Sequence, residues 1–341
     1  MRLLILGTGG MARKHAAEFA KIPGISLVAG VDTNAGNLQE FCDSFRISQR
    51  FSSLQVALGW GQFDAVANVT PDGAHYSTTL ACLAAGKHVF CEKPLATNHA
   101  HADEMAQAAK GLVGMVNLTY RNVAALQKAR DMVLAGAVGT VRHIEASYLQ
   151  SWLTQPAWGD WRTESQWLWR LSSAHGSLGV LGDVGIHILD FASYAAASDI
   201  ADISCRLKTF HKAKNGRIGD YSLDANDSFA AHIGLENGAV GVVHASRFAS
   251  GHLNDLHLRI YGEKGGLEVT NSGELGSLRA SIGDDMPLAA WRDVPLMPVE
   301  NNYQRFAQAV AAGQTREPGF ARAAALQKII DLAVESDKAA R

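Results

Sequence analysis

A lysine, an aspartate and a histidine stand in this chain where their chemistry would count. Lys93 follows an apolar run, Lys87-His88-Val89-Phe90-Cys91, and precedes Pro94 within Glu92-Lys93-Pro94. Proline fixes its own φ and restricts the residue before it, so an ammonium there sits on a stiff turn at a strand end. The plainer alternative is a surface lysine that opens a loop. Asp183 and His187 lie four apart in Gly182-Asp183-Val184-Gly185-Ile186-His187-Ile188-Leu189-Asp190, so on a helix they leave from one face, with Asp190 on the same stripe. An imidazole that titrates near neutrality can take a hydroxyl proton and return it. An ammonium can hold the hydroxyl oxygen as negative charge develops on it. A carboxylate can accept from a neighbouring hydroxyl and fix which carbon is presented. Gly176, Gly179, Gly182 and Gly185 remove bulk around the pair. An Asp–His pair at this spacing can equally be a surface ion pair on an ordinary helix, and spacing alone does not separate the two.

A second set of residues points to the group that would accept electrons. The apolar run Arg2-Leu3-Leu4-Ile5-Leu6 leads into Gly7-Thr8-Gly9-Gly10-Met11-Ala12, then a helix, then Ser26-Leu27-Val28-Ala29-Gly30-Val31 and Asp32. This is the layout of a dinucleotide-binding unit. Gly7 permits the sharp turn, Gly9 lets a pyrophosphate approach the backbone, and Ala12 takes the small position where helix packs on strand. The diphosphate would rest on free N–H groups at the positive end of the helix. Asp32 lies 20 residues beyond Ala12, the offset of a carboxylate that accepts from a ribose 2′-OH. Such a carboxylate repels a 2′-phosphate, so the expected cofactor is NAD in preference to NADP.

The elements that must position these residues fall into two parts. Residues 1 to 120 alternate strand and helix signals, with strands ending at Asp32, at Thr70-Pro71 and at Glu92-Lys93-Pro94; the pattern predicts an α/β doubly wound parallel sheet. Ligands of such sheets bind beyond the strands' carboxyl ends, which adds Thr70, Pro71 and Glu92 to the glycine turn as expected cofactor contacts. A helix stopping at Gly86, a helix capped by Asn98 and a sixth strand over 114–118 complete this part. Residues 121–341 predict an α+β domain on an open, largely antiparallel sheet, with strands over 141–149, 203–210, 228–235, 239–248, 257–262 and 267–270. The chain from Tyr303 on reads as helical and able to pack back on the first domain.

Bulk properties narrow the function further. With 341 residues the chain can hold two sizeable cores. A net charge of −2 without a basic block argues against nucleic-acid and membrane-surface partners. Cys42, Cys82, Cys91 and Cys205 form no CxxC pair, which predicts reduced thiols, a cytoplasmic protein and no metal site. The first strand begins at residue 2, which predicts no signal peptide; no apolar run reaches the ~18 residues a membrane span needs. Tryptophans crowd positions 152–169 (Trp152, Trp158, Trp161, Trp167, Trp169). Their faces could stack on a sugar ring, or they could build a core or a subunit interface. Arg121 and Arg170 could orient hydroxyls or a carboxylate, or serve as structural ion-pair partners. The broad second-domain sheet suits a homodimer or homotetramer.

Taken in order, the glycine turn, Thr70-Pro71 with His75, Ala85-Gly86-Lys87-His88-Val89-Phe90-Cys91-Glu92-Lys93-Pro94, Trp169-Arg170 and the Asp183–Asp190 element resemble the Gfo/Idh/MocA oxidoreductases. The resemblance covers nearly the whole chain. It implies that Lys93 is a catalytic lysine, Asp183 a substrate-binding aspartate and His187 the proton-transferring histidine. With the motif and strand-end readings above, the expected cofactor contacts are Gly7, Thr8, Gly9, Gly10, Met11, Asp32, Thr70, Pro71, His75, Glu92, Lys93, Trp169 and Arg170, and the expected substrate contacts are Lys93, Arg121, Trp152, Asp183 and His187. One departure is His175-Gly176-Ser177-Leu178-Gly179, where the family often has a glycine run. The expected activity is hydride transfer between a secondary alcohol of a sugar, sugar derivative or cyclic polyol and nicotinamide. A redox-neutral, NAD-dependent glycoside hydrolysis and a non-catalytic nucleotide-binding regulator are the alternatives.

Overall fold

Apolar runs without alternation form the first sheet, because a parallel strand covered by helices is buried on both faces. The computed structural model describes residues 1–156 and 158–340, Ser165 by its backbone alone. Two compact units result. The first comprises Met1–Leu118 and Glu300–Gln327, the second Thr119–Val299 and the chain from Lys328 on.

In the first unit, strands β1 (Arg2–Leu6), β2 (Ser26–Val31), β3 (Gln49–Phe51), β4 (Ala65–Asn68), β5 (His88–Cys91) and β6 (Gly114–Val116) form one parallel sheet in the order β3-β2-β1-β4-β5-β6. This is the dinucleotide-fold order, with its switch point between β1 and β4. The intervening helices are α1 (Gly10–Ala20), α2 (Ala35–Ser44), α3 (Leu54–Trp60), α4 (His75–Ala84) and α5 (His99–Ala108). Asn34 and Asn98 cap α2 and α5 by accepting from Asn37 N and His101 N at 3.0 and 2.9 Å. Strand β3 and helix α3 lacked a readable apolar period. Strand β6 is shorter than expected, because the chain turns after Val116 into a 3₁₀ turn at Thr119–Asn122. The core under the sheet joins Phe19, Phe41 and Phe90 to Tyr303 and Phe306, which arrive from near the other end of the chain.

The second unit opens with α6 (Ala124–Leu134) and β7 (Val141–Leu149); α7 (Ser165–Leu168) and two 3₁₀ turns follow. Next come α8 (Ile186–Ala195), β8 (Ile200–Lys208), the small hairpin β9 (Arg217–Ile218) and β10 (Tyr221–Ser222), then β11 (Ser228–Leu235), β12 (Val240–Ser246), β13 (Asp255–Gly262), β14 (Gly265–Thr270), β15 (Ser277–Ile282) and β16 (Arg292–Asp293). An eight-stranded sheet runs β16-β15-β14-β13-β7-β12-β11-β8. Among the described residues only the pair β7–β12 of this sheet is parallel. Inward residues alternate strictly with outward ones along β11 and β12, and α6 and α8 lie against the sheet. Helices α9 (Asn302–Ala312) and α10 (Phe320–Ala339) end the chain; a capping box of Asn301 and Gln304 starts α9.

Among the described residues no helix is long and apolar enough to cross a membrane. The four cysteines are buried free thiols.

Candidate active site

The turn between β1 and α1 is shaped by one obligatory glycine. Gly7 has φ +83°, and a Cβ on it would lie 2.7 Å from the Val69 carbonyl oxygen, so no larger residue fits. Above Gly9 and Gly10 a Cβ would meet nothing within 4 Å. Helix α1 has no side-chain cap at Gly9 and no acid in its first turn, so no capping side chain competes for its leading N–H groups. At the end of β2, Asp32 Oδ2 accepts from Thr8 N and Thr8 Oγ1 at 2.7 and 2.8 Å, and Oδ1 accepts from Asn34 N at 2.8 Å. Burial raises its pKa, but the Asn34 and Thr8 hydrogen bonds outweigh that and hold the carboxyl below its usual range. The Thr33 N–H adds to these donors, so the carboxylate is held in place at the strand end. Uncapped N–H groups, empty space over two glycines and an ionised acid on the next strand fit a dinucleotide. Met11 is exposed at the same turn.

Two residues expected at the cofactor, His75 and Glu92, hold neighbouring segments of the chain. His75 is fully buried; Nδ1 lies 2.7 Å from the Pro94 carbonyl oxygen and Nε2 2.8 Å from that of Thr70. The ring therefore ties the loop after β4 to the loop after β5. Burial disfavours its charge, but the Cys91 sulfur, the Pro94 carbonyl and Asp72 prevail and raise its pKa to about 10. The side chain of Glu92 is 13 % exposed. Its Oε1 accepts from His15 Nε2 at 2.6 Å and Asn117 Nδ2 at 2.8 Å, and its Oε2 from Lys93 N at 3.1 Å. Burial works to neutralise Glu92, yet His15, Asn117 and the Lys93 charge together hold its pKa at about 2. Burial and that same carboxylate push the Tyr303 hydroxyl upward. Glu92 thus positions the main chain of Lys93, whose peptide to Pro94 is cis. Thr70 bonds to Asn68 Oδ1 through N and Oγ1 at 3.3 and 2.8 Å, and Pro71 opens a 3₁₀ turn.

In the second unit, Asp183 sits in a turn of π-helix, Leu181–Gly185, that runs directly into α8. An ordinary helix was expected. π-Turns inside helices gather at functional sites, and the glycines around this one explain how it packs: a Cβ on Gly182 would lie 2.2 Å from that of Leu178. Asp183 is 31 % exposed. Its Oδ2 accepts from Arg247 Nη2 at 2.8 Å and lies 4.0 Å from Arg170 Nε. Arg170 in turn lies over the Trp167 and Trp169 rings. His187 is 8 % exposed, with the Tyr120 ring edge-on at 5.2 Å. Tyr120 Oη meets Tyr148 Oη at 2.6 Å, and Asn254 bonds to both hydroxyls at 2.7 and 2.5 Å. Burial, then Tyr120 and Asp183, push the Tyr148 pKa well upward.

Two expected substrate contacts, Arg121 and Trp152, are both buried and engaged with protein partners. Arg121 is buried, and its fork grips Asp190 through Nε and Nη2 at 2.6 and 2.7 Å with the guanidinium 3.4 Å from the Tyr194 ring centre. It therefore belongs to the framework, and Asp190 is its counter-ion. Trp152 is buried among Leu153, Trp161, Leu168, Leu171 and Leu223, with Nε1 donating to Gln150 Oε1 at 3.2 Å. Its ring is part of this hydrophobic cluster.

Several participants escaped sequence reasoning. His15 falls on the buried stripe Ala12, Ala16 and Phe19 of α1, so a polar residue at a core position was the available sign. Arg247 follows the inward-facing Val243 and Ala245 at the same parity, a charge where alternation calls for an apolar residue. Nothing local marked Lys212 or Asp227, which pair across 15 residues.

Comparison with known proteins settles the family. Residues 1–120 match the model described as "Oxidoreductase family, NAD-binding Rossmann fold", and residues 126–268 match the GFO/IDH/MocA C-terminal domain. The chain belongs to the GFO/IDH/MocA oxidoreductase family. Similar proteins include the levoglucosan dehydrogenase of Pseudarthrobacter phenanthrenivorans, 26 % identical over 82 % of this chain and 76 % of that one. The D-glucoside 3-dehydrogenase of Escherichia coli is 28 % identical over 84 % of each chain. A solved levoglucosan dehydrogenase in complex with NADH superposes with a TM-score of 0.87 at 25 % identity, covering 99 % of this chain and 97 % of that one. The protein is thus an NAD(P)-dependent dehydrogenase acting on CH–OH groups.

Proposed function

We propose that this dehydrogenase oxidises a secondary alcohol carbon of a sugar, sugar derivative or cyclic polyol and prefers NAD to NADP. The observation that carries the proposal is the π-turn at Leu181–Gly185, which sets the half-exposed carboxylate of Asp183 one turn before the nearly buried imidazole of His187. The names of the relatives, which act on levoglucosan and on glucosides, support the same substrate class. The N–H groups after Gly9 would hold the diphosphate and Asp32 the ribose hydroxyl, with Met11, Thr70 and Pro71 as further cofactor contacts, as well as Trp169 and Arg170. The chemistry supplied by bound nicotinamide is acceptance of a hydride.

The chain's own groups do the rest. His187 takes the hydroxyl proton. Lys93, its backbone held by Glu92, stabilises negative charge on the hydroxyl oxygen. Asp183 accepts from a neighbouring hydroxyl and so selects the carbon that is oxidised. We also infer a homodimer or homotetramer built on the second unit's sheet, on the face that carries Val240, Val242 and His244.

The test is a screen of pyranoses, glucosides, sugar acids and cyclic polyols with NAD and NADP, following absorbance of the reduced nicotinamide. Net reduction is expected, faster with NAD. Lys93→Ala and His187→Ala should each lower kcat by about 10²–10⁴ while NAD binding stays close to wild type. Unchanged rates in both variants would remove their assigned roles, and aglycone release without net reduction would favour glycoside hydrolysis.

A further inference from the structure

We propose that Arg247 is a positioning residue for Asp183, braced by the buried Lys212–Asp227 pair, and that through this carboxylate it governs how the substrate is seated. The inference rests on the reading of Asp183 as the substrate's acceptor.

Arg247 lies one residue beyond β12 and is 0 % exposed. Its two terminal nitrogens divide their work: Nη1 donates to the Arg170 carbonyl oxygen at 3.1 Å and Nη2 to Asp183 Oδ2 at 2.8 Å. One planar fork therefore fixes the carboxylate relative to the turn that carries Trp169 and Arg170. The guanidinium carbon lies 5.1 Å from the centre of the Trp152 ring. Behind it, Arg247 N donates to the Asp227 carbonyl oxygen at 3.0 Å. The Asp227 carboxylate accepts from Lys212 Nζ at 2.5 Å and from Phe210 N at 2.8 Å, with neither side chain of the pair exposed. Charge alternates along the series Lys212, Asp227, Arg247, Asp183, and only its last member reaches solvent.

A purely structural role for Arg247 fits these contacts poorly. A buried ion pair stabilises a fold little better than apolar residues of the same size, and Asp227 already has a cation in direct contact. No hydrogen bond joins the Arg247 side chain to the Asp227 carboxylate among the described residues, and Arg247 Nε has no hydrogen-bond partner there. The side chain passes its nearest buried counter-ion and makes its hydrogen bonds at the open end of the series. Burial lowers the pKa of this guanidinium while Asp183 and Asp227 raise it, and arginine keeps its proton in such settings. A lysine would keep the charge and lose the fork.

The experiment compares wild type, Asp183→Asn, Arg247→Lys, Arg247→Met and the double variant Arg247→Met/Asp183→Asn. The probe is the alcohol oxidised fastest in the screen above. The measurements are kcat, KM, the NADH dissociation constant by fluorescence and the thermal midpoint. Each single variant should lower kcat/KM by about 10–10², carried chiefly by KM, the range expected when a charge-assisted hydrogen bond is lost. NADH affinity should stay at the wild-type value. The double variant should be no worse than Asp183→Asn alone, because both changes remove one function. Wild-type kcat/KM in Arg247→Lys overturns the proposal whether or not Arg247→Met folds, and so does multiplication of the two losses in the double variant. If Asp183→Asn itself behaves as wild type, or no alcohol in the screen is oxidised, the underlying reading of the site falls, which is a separate result.

Discussion

His75 shows what a single side chain does when both of its ring nitrogens face carbonyl oxygens. A neutral imidazole has one N–H to offer, whereas the imidazolium satisfies Thr70 and Pro94 together. Against the cost of burial, the Cys91 sulfur, then the Pro94 carbonyl and Asp72, raise the His75 pKa from the ordinary 6.5 to about 10, so the charged ring's contribution is complete below pH ~6.5 and is lost as pH rises through about 10. Glu92 runs the other way. Its contribution is present above the ordinary 4.5 and disappears as pH falls through about 2. Denaturation of wild type and His75→Gln in parallel should show a stability gap that is widest below neutrality and closes towards pH 10; a gap independent of pH would contradict the charged strap. The sequence marked His75 and Glu92 as important and placed them at the cofactor. It could not show that their partners are main-chain carbonyls and a histidine from another helix, because carbonyl positions leave no trace in residue identity.

Elements differ in how much of their geometry is written in the local pattern. The parallel strands around β1 were plain, since continuous apolar runs between helices have few other solutions. The π-turn was not, because one residue of extra winding barely changes the spacing of Asp183 and His187. Strands β15 and β16 were missed as well: β16 has two residues and depends on its neighbour for existence. The glycine turn offers the sharpest element-level test. Gly7→Ala would require a left-handed backbone with a side chain and a 2.7 Å contact to the Val69 oxygen. A loss of about 1–3 kcal/mol is expected from the backbone conformation alone, together with weakened NAD binding. Thermal unfolding and NAD titration of this variant check both, and wild-type affinity in a folded Gly7→Ala protein would mean the turn does not hold the diphosphate.

For the whole molecule, the two family models together span most of the chain, and the motifs that carried the resemblance lie in both units. Family and fold class were therefore legible, whereas the association state was not. Val240 is 58 % exposed on the face that also presents Val242 and His244. Across β11 this row meets His232 and Ala230. Beside it stands a charged lattice in which Arg259 contacts Glu145 and Glu268 at 3.4 and 3.2 Å. A second copy would bring apolar and paired charged groups to such a face. Light scattering should report an oligomer for wild type and a smaller species for Val240→Glu; a monomer in wild type would remove this part of the proposal.

The aromatic centre of the first unit closes only after the intervening second-unit strands have been synthesised. Tyr303 and Phe306 pack edge-on or tilted against Phe19 and Phe90 at 5.0–6.1 Å between ring centres, and burying such side chains contributes about 1.5–3 kcal/mol each. The ribosome thus releases residues 1–118 well before the two rings that finish their interior. The part of the chain made first is thus completed only after the second unit's sheet has been made, and a nascent chain halted short of residue 300 would offer bare phenylalanines to chaperones and proteases.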